Sequence, residues 1–395
     1  MKRLILGTLC ILSMTVWAQT DTPEQQLPWP LKMQSKLDSM MRHPLLDNTQ
    51  MGLMVWDLTD DRTLFCYNHR QLLRPASTMK VLTAVTALDQ LGGDYQFNTS
   101  LYYKGDISNR TLSGTIYCVG GMDPAFSSDD MKAFAESLCL LDIDTISGTI
   151  VADVSMKDTL KWGEGWCWDD KNPTLTPLLA DRKAEFTEKL VSALTEKGIM
   201  LRDITIGQGL LPDDAVLVSQ RTRSIDQILR RMMKDSDNLY AESMYYQIAA
   251  KSSDRPGKAL YAQRMEKALM ERAGLNSSHY RLADGSGLSL YNYLSAECLT
   301  RVLRYAYLRQ PIYSHLLPSL PIAGTDGTLK KRMKGTAAAG NVQAKTGTLT
   351  GIISLAGYCT ASNGHRLCFA IINQGVMRGA EARSYQDKIC TIICE

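Results

Sequence analysis

The stretch RPASTMKVLTAVTALDQLGG, residues 74–93, predicts a helix that is buried on nearly every side. After its first turn, apolar residues cover most of the helix surface: Val81, Leu82, Ala84, Val85, Ala87, Leu88 and Leu91. A helix with so little polar surface lies in the core of a protein, and Gly92-Gly93 predicts its end. Lys80 is unexpected in the first turn of such a helix, three residues after Ser77.

Ser77 and Lys80 have the spacing of a nucleophile and its base. Residues three apart share one face of a helix, so the lysine amine would point back toward the serine hydroxyl. A serine hydroxyl needs a base to become a good nucleophile. The pKa of a lysine is ordinarily about 10.4, but burial and a second positive charge, for which Lys345 is the candidate, would lower it. The alternative is a lysine that extends to solvent, which the apolar neighbours disfavour.

A second motif, Ser236-Asp237-Asn238, lies between two helical stretches. We predict that Ser236 passes a proton to the leaving amine. Asn238 would hydrogen-bond the substrate amide or hold Lys80. Without the other two motifs, the triplet would favour a helix cap, because Ser, Asp and Asn are all common at that position.

A third motif, Lys345-Thr346-Gly347, begins a predicted strand. Lys345 would bind a carboxylate through its fixed positive charge, and Thr346 would contribute a hydroxyl to the same site. Gly347 lets a substrate approach the strand closely. The backbone N–H groups of Ser77 and Thr348 are the two donors predicted for an oxyanion hole. The alternative for Lys345 is an exposed lysine that protects a sheet edge from aggregation.

The composition and the remaining patterns argue against other kinds of site. The chain has 395 residues and a formal net charge of +3, which does not favour nucleic acid as a partner. Its five histidines are scattered without metal-ligand spacing. A G-x-S-x-G pattern is also missing from the sequence. We therefore expect neither a metal nor another cofactor.

Residues 1–18, MKRLILGTLCILSMTVWA, have the pattern of a secretory signal peptide. Lys2-Arg3 precedes an apolar run that ends at Trp17, and Ala18 provides a small residue for cleavage. The run is shorter than the roughly 20 residues that a transmembrane helix needs. We predict cleavage after Ala18, a periplasmic location, and no membrane-spanning segment in the mature chain.

Removal of Cys10 with the signal peptide leaves nine of the ten cysteines. An odd number in an exported protein implies at least one thiol that is free or paired between molecules. Asn363-Gly364 predicts a two-residue hairpin turn, and that register places Cys359 opposite Cys368. The two residues would form a cross-strand disulfide or pack as small hydrophobic side chains.

The pattern of the middle of the chain differs from that of the two ends. Residues 95–218 alternate like short strands, with turns predicted at Lys104-Gly105 and Asn109-Arg110. The segment DTISGTIVADVS predicts a further pair of strands, and an amphipathic helix is predicted from Asp181. We interpret this part as an inserted α+β module. Residues 19–94 and 219–395 would then form one discontinuous domain.

The three motifs in this order are typical of penicillin-binding proteins and class A β-lactamases. The sequence resembles, more narrowly, the penicillin-binding D-alanyl-D-alanine carboxypeptidases/endopeptidases that carry a module between the first two motifs. Further stretches resemble that family in the same order, over most of the mature chain: SGTIVADVS, GWCWDD, SDNLYAE, LADGSGLS, LPIAGTDGTLKKRM and AKTGTLTGIISLAGY.

The resemblance implies an α+β fold in which an antiparallel transpeptidase-type sheet is flanked by helices. It also implies acylation of Ser77 by peptidoglycan stem peptides and by β-lactam antibiotics. Lys80 and Ser236 are only 156 positions apart, which is shorter than in family members with two nested insertions. The shape of the module and the preference for crosslinks therefore stay open.

Two alternative functions fit parts of the sequence. A β-lactamase needs fast deacylation, usually by a water that a glutamate activates. Glu164 lies in the inserted part, but the surrounding GEGWCWDD does not match a deacylation motif. The second alternative is a non-catalytic peptidoglycan-binding protein that kept the fold, although every motif side chain is present.

Overall fold

The computed structural model describes residues 27–252 and 256–395, so the predicted signal peptide lies outside the described residues. The strands are β1 (Gln50–Asp57), β2 (Arg62–Tyr67), β3 (Gln96–Ser108), β4 (Thr111–Val119), β5 (Thr145–Asp153), β6 (Met200–Gln208), β7 (Val216–Ser224), β8 (Gln343–Leu349), β9 (Ile352–Thr360) and β10 (Arg366–Gln374).

The α-helices are α1 (Leu31–Met40), α2 (Met79–Leu91), α3 (Ser128–Cys139), α4 (Phe186–Glu196), α5 (Ile225–Lys234), α6 (Asn238–Ser252), α7 (Ala259–Arg272), α8 (Ala296–Tyr307), α9 (Gln310–Ser319) and α10 (Gly379–Cys394). Among the described residues, no helix combines the length and the apolar character needed to cross a bilayer.

Strands from both ends of the chain form one antiparallel sheet in the order β2-β1-β10-β9-β8. Successive side chains of a strand point to opposite faces of a sheet, and here both faces are covered by helices. On β10, Cys368, Ala370 and Ile372 pack into the core that contains α2 and α8. Leu367, Phe369 and Ile371 pack into the core that contains α1 and α10. This arrangement confirms the predicted antiparallel sheet flanked by helices.

Helix α2 is buried as the sequence predicts. Every residue in the range 79–88 is buried, and Leu91 packs against the same core while partly exposed. The helix packs against α6, α8 and α9, so helices surround most of its length. Gly92 follows with a φ of 84°, a left-handed conformation that ends a helix at little cost for glycine.

A second sheet, in the order β6-β5-β4-β3-β7, is formed within the inserted part. β3 pairs antiparallel with β4 and β7, whereas β4-β5 and β5-β6 are parallel pairs. Helices α3 and α4 pack together on this sheet. β7 crosses residue 218, the predicted end of the module, and pairs with β3 as far as Ser224.

Three local predictions in the inserted part are wrong. Lys104-Gly105 is not a turn, because β3 continues through Gly105, which faces Gly114 where a Cβ atom would lie 2.3 Å from a backbone oxygen. The segment DTISGTIVADVS forms one strand instead of two. The helix predicted from Asp181 begins at Phe186, because the Asp181 carboxylate accepts a hydrogen bond from the Ser128 N–H at the start of α3.

The predicted pairing of Cys359 with Cys368 is also wrong. The β9–β10 loop has three residues, 362–364, because the Ala361 N–H donates to the His365 carbonyl oxygen at 2.9 Å. Three-residue hairpin loops commonly place a glycine in the left-handed conformation, and Gly364 has a φ of 89°. The extra residue moves the register by one position, so Cys359 faces Leu367 and Cys368 faces Tyr358. The two cysteines therefore lie on opposite faces of the sheet.

The described cysteines are all unpaired thiols: Cys66, Cys118, Cys139, Cys167, Cys298, Cys359, Cys368, Cys390 and Cys394. Cys359, Cys390 and Cys394 share the core on the α10 side of the sheet. Cys368 lies on the other side, with its Sγ 3.7 Å from the carbonyl oxygen of Thr300.

Candidate active site

Ser77 lies in a short 3-10 helix that leads directly into α2. Two hydroxyl groups fix this turn by donating to the carbonyl oxygen of Pro75, that of Thr78 at 2.7 Å and that of Ser354 at 2.6 Å. The preceding Ala76 has a φ of 47°, a conformation that residues other than glycine rarely adopt. The turn leaves Ser77 partly exposed at the end of an otherwise buried helix.

The Lys80 amine is completely buried and points back at Ser77. Its Nζ lies 3.0 Å from the Oγ of Ser77, 2.7 Å from the Oδ1 of Asn238 and 2.7 Å from the carbonyl oxygen of Ser286. Each of these three oxygens accepts a hydrogen bond from the amine. The lysine therefore does not extend to solvent, and it joins the first and second motifs.

Burial lowers the pKa of Lys80 from its usual value to about 8. The negative charges of Asp284, Glu242 and Asp237 act in the opposite direction and limit the decrease. A pKa of this size leaves a useful neutral fraction of the amine near neutral pH. The site therefore provides a base within hydrogen-bond distance of the serine hydroxyl.

Three buried carboxyl groups lie behind Lys80, and sequence analysis did not single out any of them. Glu242 accepts a hydrogen bond from the Ser286 N–H at 2.8 Å, and burial raises its pKa to about 8. Glu266 accepts from the Thr83 hydroxyl at 3.0 Å, and burial raises its pKa well above the usual value. The third, Asp284, receives the Gly287 and Ser289 N–H groups within the loop that supplies the Ser286 carbonyl oxygen.

Asp284 also connects this loop to the inserted part of the chain. The indole Nε1 of Trp166, in the GWCWDD stretch, donates to Asp284 Oδ2 at 2.8 Å. Both side chains are buried. In the sequence, GWCWDD and LADGSGLS are marked only by their resemblance to the family. A buried Trp needs a hydrogen-bond acceptor for its indole N–H, and this requirement is the signal that could have linked the two stretches.

Lys345 lies on β8, the edge strand of the first sheet, and is completely buried. Its Nζ donates to the Ser236 Oγ at 2.8 Å and to the Thr346 carbonyl oxygen at 2.7 Å. Within residues 27–252 and 256–395, no carboxylate forms an ion pair with this amine. Burial and the charge of Lys80 lower the pKa of Lys345 well below its usual value. The alternative of an exposed edge lysine is therefore wrong.

Gly347 brings strand β8 against the Ser77 turn. A Cβ atom at this position would lie 2.1 Å from the Ser354 Oγ, 2.8 Å from the Pro75 oxygen and 3.0 Å from the Ser77 nitrogen. A larger residue would push the strand away from the serine. Thr348 follows on the same strand and is exposed.

Ser236 occupies the tight turn between α5 and α6, with a φ of 59°. The helix cap proposed as an alternative for its triplet is also present, because the Asp237 carboxylate accepts the Leu239 N–H at 3.1 Å. Asn238 begins α6. The cap and the contacts of Ser236 and Asn238 with the two lysines therefore coexist.

The predicted site residues form two hydrogen-bonded groups that meet at the same place. Ser77, Lys80 and Asn238 form the first group, and Ser236 and Lys345 form the second. Thr346 is partly exposed beside them, and its hydroxyl donates to the Thr328 hydroxyl at 2.7 Å. The arrangement combines a partly exposed hydroxyl with two buried amines, and acyl transfer through a serine needs such a hydroxyl beside a base.

A single group of metal-ligating side chains occurs in the described part of the chain, and it lies outside this site. Asp57, Asp60 and His365 bring ligand atoms within 4.8 Å of one another. They lie at the end of β9 and β10 opposite to that of Ser354. None of the predicted site residues belongs to this group.

Glu164, the residue considered for a β-lactamase reaction, forms an ion pair with Arg281 at 2.8 Å. Its side chain is half exposed. The carboxylate is therefore engaged by an arginine and does not belong to the group around Ser77.

Comparisons with known proteins agree with this architecture. The model of the D-Ala-D-Ala carboxypeptidase 3 (S13) family matches residues 33–180 and 173–394. A D-alanyl-D-alanine carboxypeptidase from Actinomadura sp. is 25% identical, over 92% of this chain and 85% of the relative. D-Alanyl-D-alanine carboxypeptidase DacB from Haemophilus influenzae is also 25% identical, over 86% of this chain and 88% of the relative.

Solved structures show the same fold. Penicillin binding protein 4 (dacB) from Haemophilus influenzae superposes with a TM-score of 0.82, at 22% identity, over 90% of this chain and 97% of that structure. A predatory peptidoglycan endopeptidase from Bdellovibrio bacteriovorus gives a TM-score of 0.59 at 17% identity, over 87% of this chain and 92% of that structure. The chain therefore belongs to the D-Ala-D-Ala carboxypeptidase 3 (S13) family and is an enzyme of the serine-type D-Ala-D-Ala carboxypeptidase class.

Proposed function

We propose that this protein is an exported peptidase that trims or un-crosslinks peptidoglycan stem peptides through an acyl-enzyme on Ser77, and that penicillins acylate the same serine. One observation carries the proposal: the Nζ of buried Lys80 lies 3.0 Å from the Ser77 Oγ. The family membership supports the substrate class. The endopeptidase activity rests on the family resemblance, and export rests on the signal-peptide pattern of residues 1–18.

Acylation begins with neutral Lys80 as general base. It takes the Ser77 proton while the Oγ attacks the carbonyl carbon of the penultimate D-Ala, so that a C–O bond forms. The oxygen of that carbonyl acquires negative charge. The backbone N–H groups of Ser77 and Thr348 stabilise this charge as an oxyanion hole, since Gly347 allows strand β8 to lie beside the Ser77 nitrogen.

Ser236 completes the transfer. Its hydroxyl passes a proton to the leaving nitrogen and regains one from protonated Lys80, so that the C–N bond breaks, D-Ala departs as a neutral amine and Lys80 is again a neutral base. Asn238 holds Lys80 in place through the 2.7 Å contact between Nζ and Oδ1. Water then attacks the ester carbonyl and loses a proton to neutral Lys80. Lys80 passes that proton to the Ser77 Oγ as the ester C–O bond breaks, so that the trimmed peptide leaves as a carboxylic acid and the Ser77 hydroxyl is free again.

Lys345 binds the substrate carboxylate in this proposal. Its amine is completely buried and contacts two neutral oxygens, those of Ser236 and Thr346. A buried cation with only neutral partners is costly, and a bound carboxylate would supply the missing negative charge. The Thr346 hydroxyl and the edge of strand β8 at Gly347 and Thr348 then align the peptide.

The proposal is tested by mass spectrometry of purified crosslinked muropeptides after incubation with the enzyme. We expect the wild type to remove terminal D-Ala, to convert crosslinked dimers into monomers, or to do both. Ser77→Ala should do neither. Ser192→Ala, at an exposed position of α4, is the control and should match the wild type. Trimming by Ser77→Ala at the wild-type rate, or folded wild-type protein that changes no muropeptide, would refute the proposal.

A further inference from the structure

Arg182, in the inserted part of the chain, binds the central residue of the second motif. Its Nη1 and Nη2 donate to the two carboxylate oxygens of Asp237, at 2.7 and 3.0 Å. A guanidinium can form this bidentate pair of hydrogen bonds with a carboxylate, whereas the single ammonium of a lysine cannot reproduce it. The Asp237 side chain is 10% exposed and that of Arg182 is 43% exposed.

Asp237 lies between the two motif residues that contact the lysines of the site. Ser236 accepts from Lys345, and Asn238 accepts from Lys80. The Asp237 carboxylate also accepts the Leu239 N–H at 3.1 Å at the start of α6. Any displacement of Asp237 would therefore move Ser236 and Asn238 together.

The turn at Ser236 needs support from outside. Its φ of 59° is a conformation that costs free energy for a residue with a side chain and persists only where neighbours enforce it. On one side, Lys234 donates to Asp326 at 2.6 Å. On the other side, the support is Arg182, together with Arg231 of α5, whose Nε lies 3.2 Å from the same carboxylate.

The two arginines also enclose the Tyr240 ring, which is 4% exposed. The guanidinium carbon of Arg231 lies 4.9 Å from the ring centroid and that of Arg182 lies 5.8 Å from it. Burial by itself would raise the pKa of Asp237, but the hydrogen bond from Arg182 and the charges of both arginines lower it below its usual value. Asp237 is therefore held as a charged carboxylate.

We propose that Arg182 is a positioning residue, through which the inserted part of the chain fixes Ser236 and Asn238 for acylation. In this proposal it acts through Asp237 and not on the substrate. Asp181 and Arg182 have φ values of 47° and 70°, so the arginine that binds Asp237 lies in a tight turn. The inference rests on the proposed function, since it assigns to Arg182 an effect on the acylation of Ser77.

The test compares the acylation rate by fluorescent penicillin and the kcat and KM for D-Ala release in five variants. We expect Arg182→Ala to lower the acylation rate and kcat by roughly 10- to 100-fold with little change in KM, because misplacement of a catalytic group affects the reacting step. Arg182→Lys should recover only part of the rate. The matched control is Lys183→Ala in the same turn, whose exposed side chain lies 3.8 Å from Glu185, and it should leave the rate unchanged.

The fourth variant combines Arg182→Ala with Asp237→Asn, and Asp237→Asn alone completes the cycle. If Arg182 acts through Asp237, the double variant should be no slower than the slower single variant. Thermal unfolding of every variant shows whether a rate is lost without loss of the fold.

Two results would overturn the inference. The first is wild-type acylation by Arg182→Ala, and the second is a double variant whose losses multiply. Failure of the proposed function looks different, because the wild type itself would then show no acylation at Ser77.

Discussion

The Nζ of Lys80 lies 2.7 Å from the Oδ1 of Asn238, although the two residues are 158 positions apart in the chain. This hydrogen bond joins α2, which carries Lys80, to α6, which begins at the last residue of the second motif. The amine also contacts the Ser77 hydroxyl at 3.0 Å. The hydrogen bond to Asn238 therefore holds the base beside the nucleophile.

Removal of the Asn238 side chain should slow acylation. We expect Asn238→Ala to label with fluorescent penicillin about 100-fold more slowly, because a base that is free to turn away loses much of the usual contribution of acid–base catalysis. Asn276→Ala, in the exposed turn before Ser277–His279, is the control. Equal labelling rates for Asn238→Ala and the wild type would show that the amide does not hold the base.

The acylation rate should rise with pH. The protonated amine of Lys80 cannot accept the Ser77 proton, so the active fraction grows as pH rises through a pKa of about 8 and becomes constant above it. Labelling rates measured between about pH 6 and pH 10 test this directly. A rate that is constant over that range, or that falls through pH 8, would contradict the role of Lys80.

The charge of Asp284 should set the position of that rise. Its carboxylate raises the pKa of Lys80 against the larger effect of burial. Asp284→Asn removes the negative charge, so the pKa of Lys80 falls and the rise in rate moves to lower pH. Asp169→Asn, at an exposed position of the same aromatic loop as Trp166, should leave the profile unchanged. A shift to higher pH in Asp284→Asn would be the opposite of the expected sign.

Lys345 should make the enzyme select substrates with a free carboxylate. We expect the wild type to cleave a peptide ending in D-Ala-D-Ala about 10- to 100-fold faster than the same peptide with a C-terminal amide, which is the usual value of a charge-assisted contact. Lys345→Gln should remove most of this preference. Lys330→Gln, at an exposed position, should retain it. If Lys345→Gln still distinguished the two peptides as the wild type does, the carboxylate would bind elsewhere.

A methyl group at Gly347 should separate strand β8 from the nucleophile. The Cβ of Gly347→Ala would lie 2.1 Å from the Ser354 Oγ and 3.0 Å from the Ser77 nitrogen, so the strand must shift by a distance that catalysis does not tolerate. We expect acylation to fall about 100-fold or more. Gly207→Ala is the matched control, since a Cβ there meets nothing within 4 Å. Full activity of Gly347→Ala would show that the close approach is dispensable.

The three motifs predicted which residues meet, because each one has a clear local context. A hydroxyl at the start of an apolar helix, a triplet between two helices and a lysine at the start of a strand can each be identified in the sequence. The contacts that hold them could not be predicted in this way. Ser286 and Arg182 reach the site from distant parts of the chain, and no local pattern marks their partners. Glu242 lies only four positions after Asn238 in α6, but its partner, the Ser286 N–H, lies far away in the chain.

Local ambiguity explains the wrong details of the fold. Asn363-Gly364 fits a two-residue turn as well as the last two positions of a three-residue loop, and that single residue decides which face Cys359 occupies. Glycine is typical of turns, but Gly105 pairs with Gly114 inside a long hairpin. Asp181 begins a helix-like pattern, yet its carboxylate hydrogen-bonds Ser128 across the chain.

The central claim is that Ser77 forms the acyl-enzyme, and peptide mapping after reaction with penicillin tests it most directly. The labelled protein is digested, and mass spectrometry identifies the residue that carries the added penicilloyl group. We expect this group on Ser77 in the wild type and no labelled peptide in Ser77→Ala. A wild type that carries the group on another residue, or a Ser77→Ala variant that is labelled as the wild type is, would contradict it.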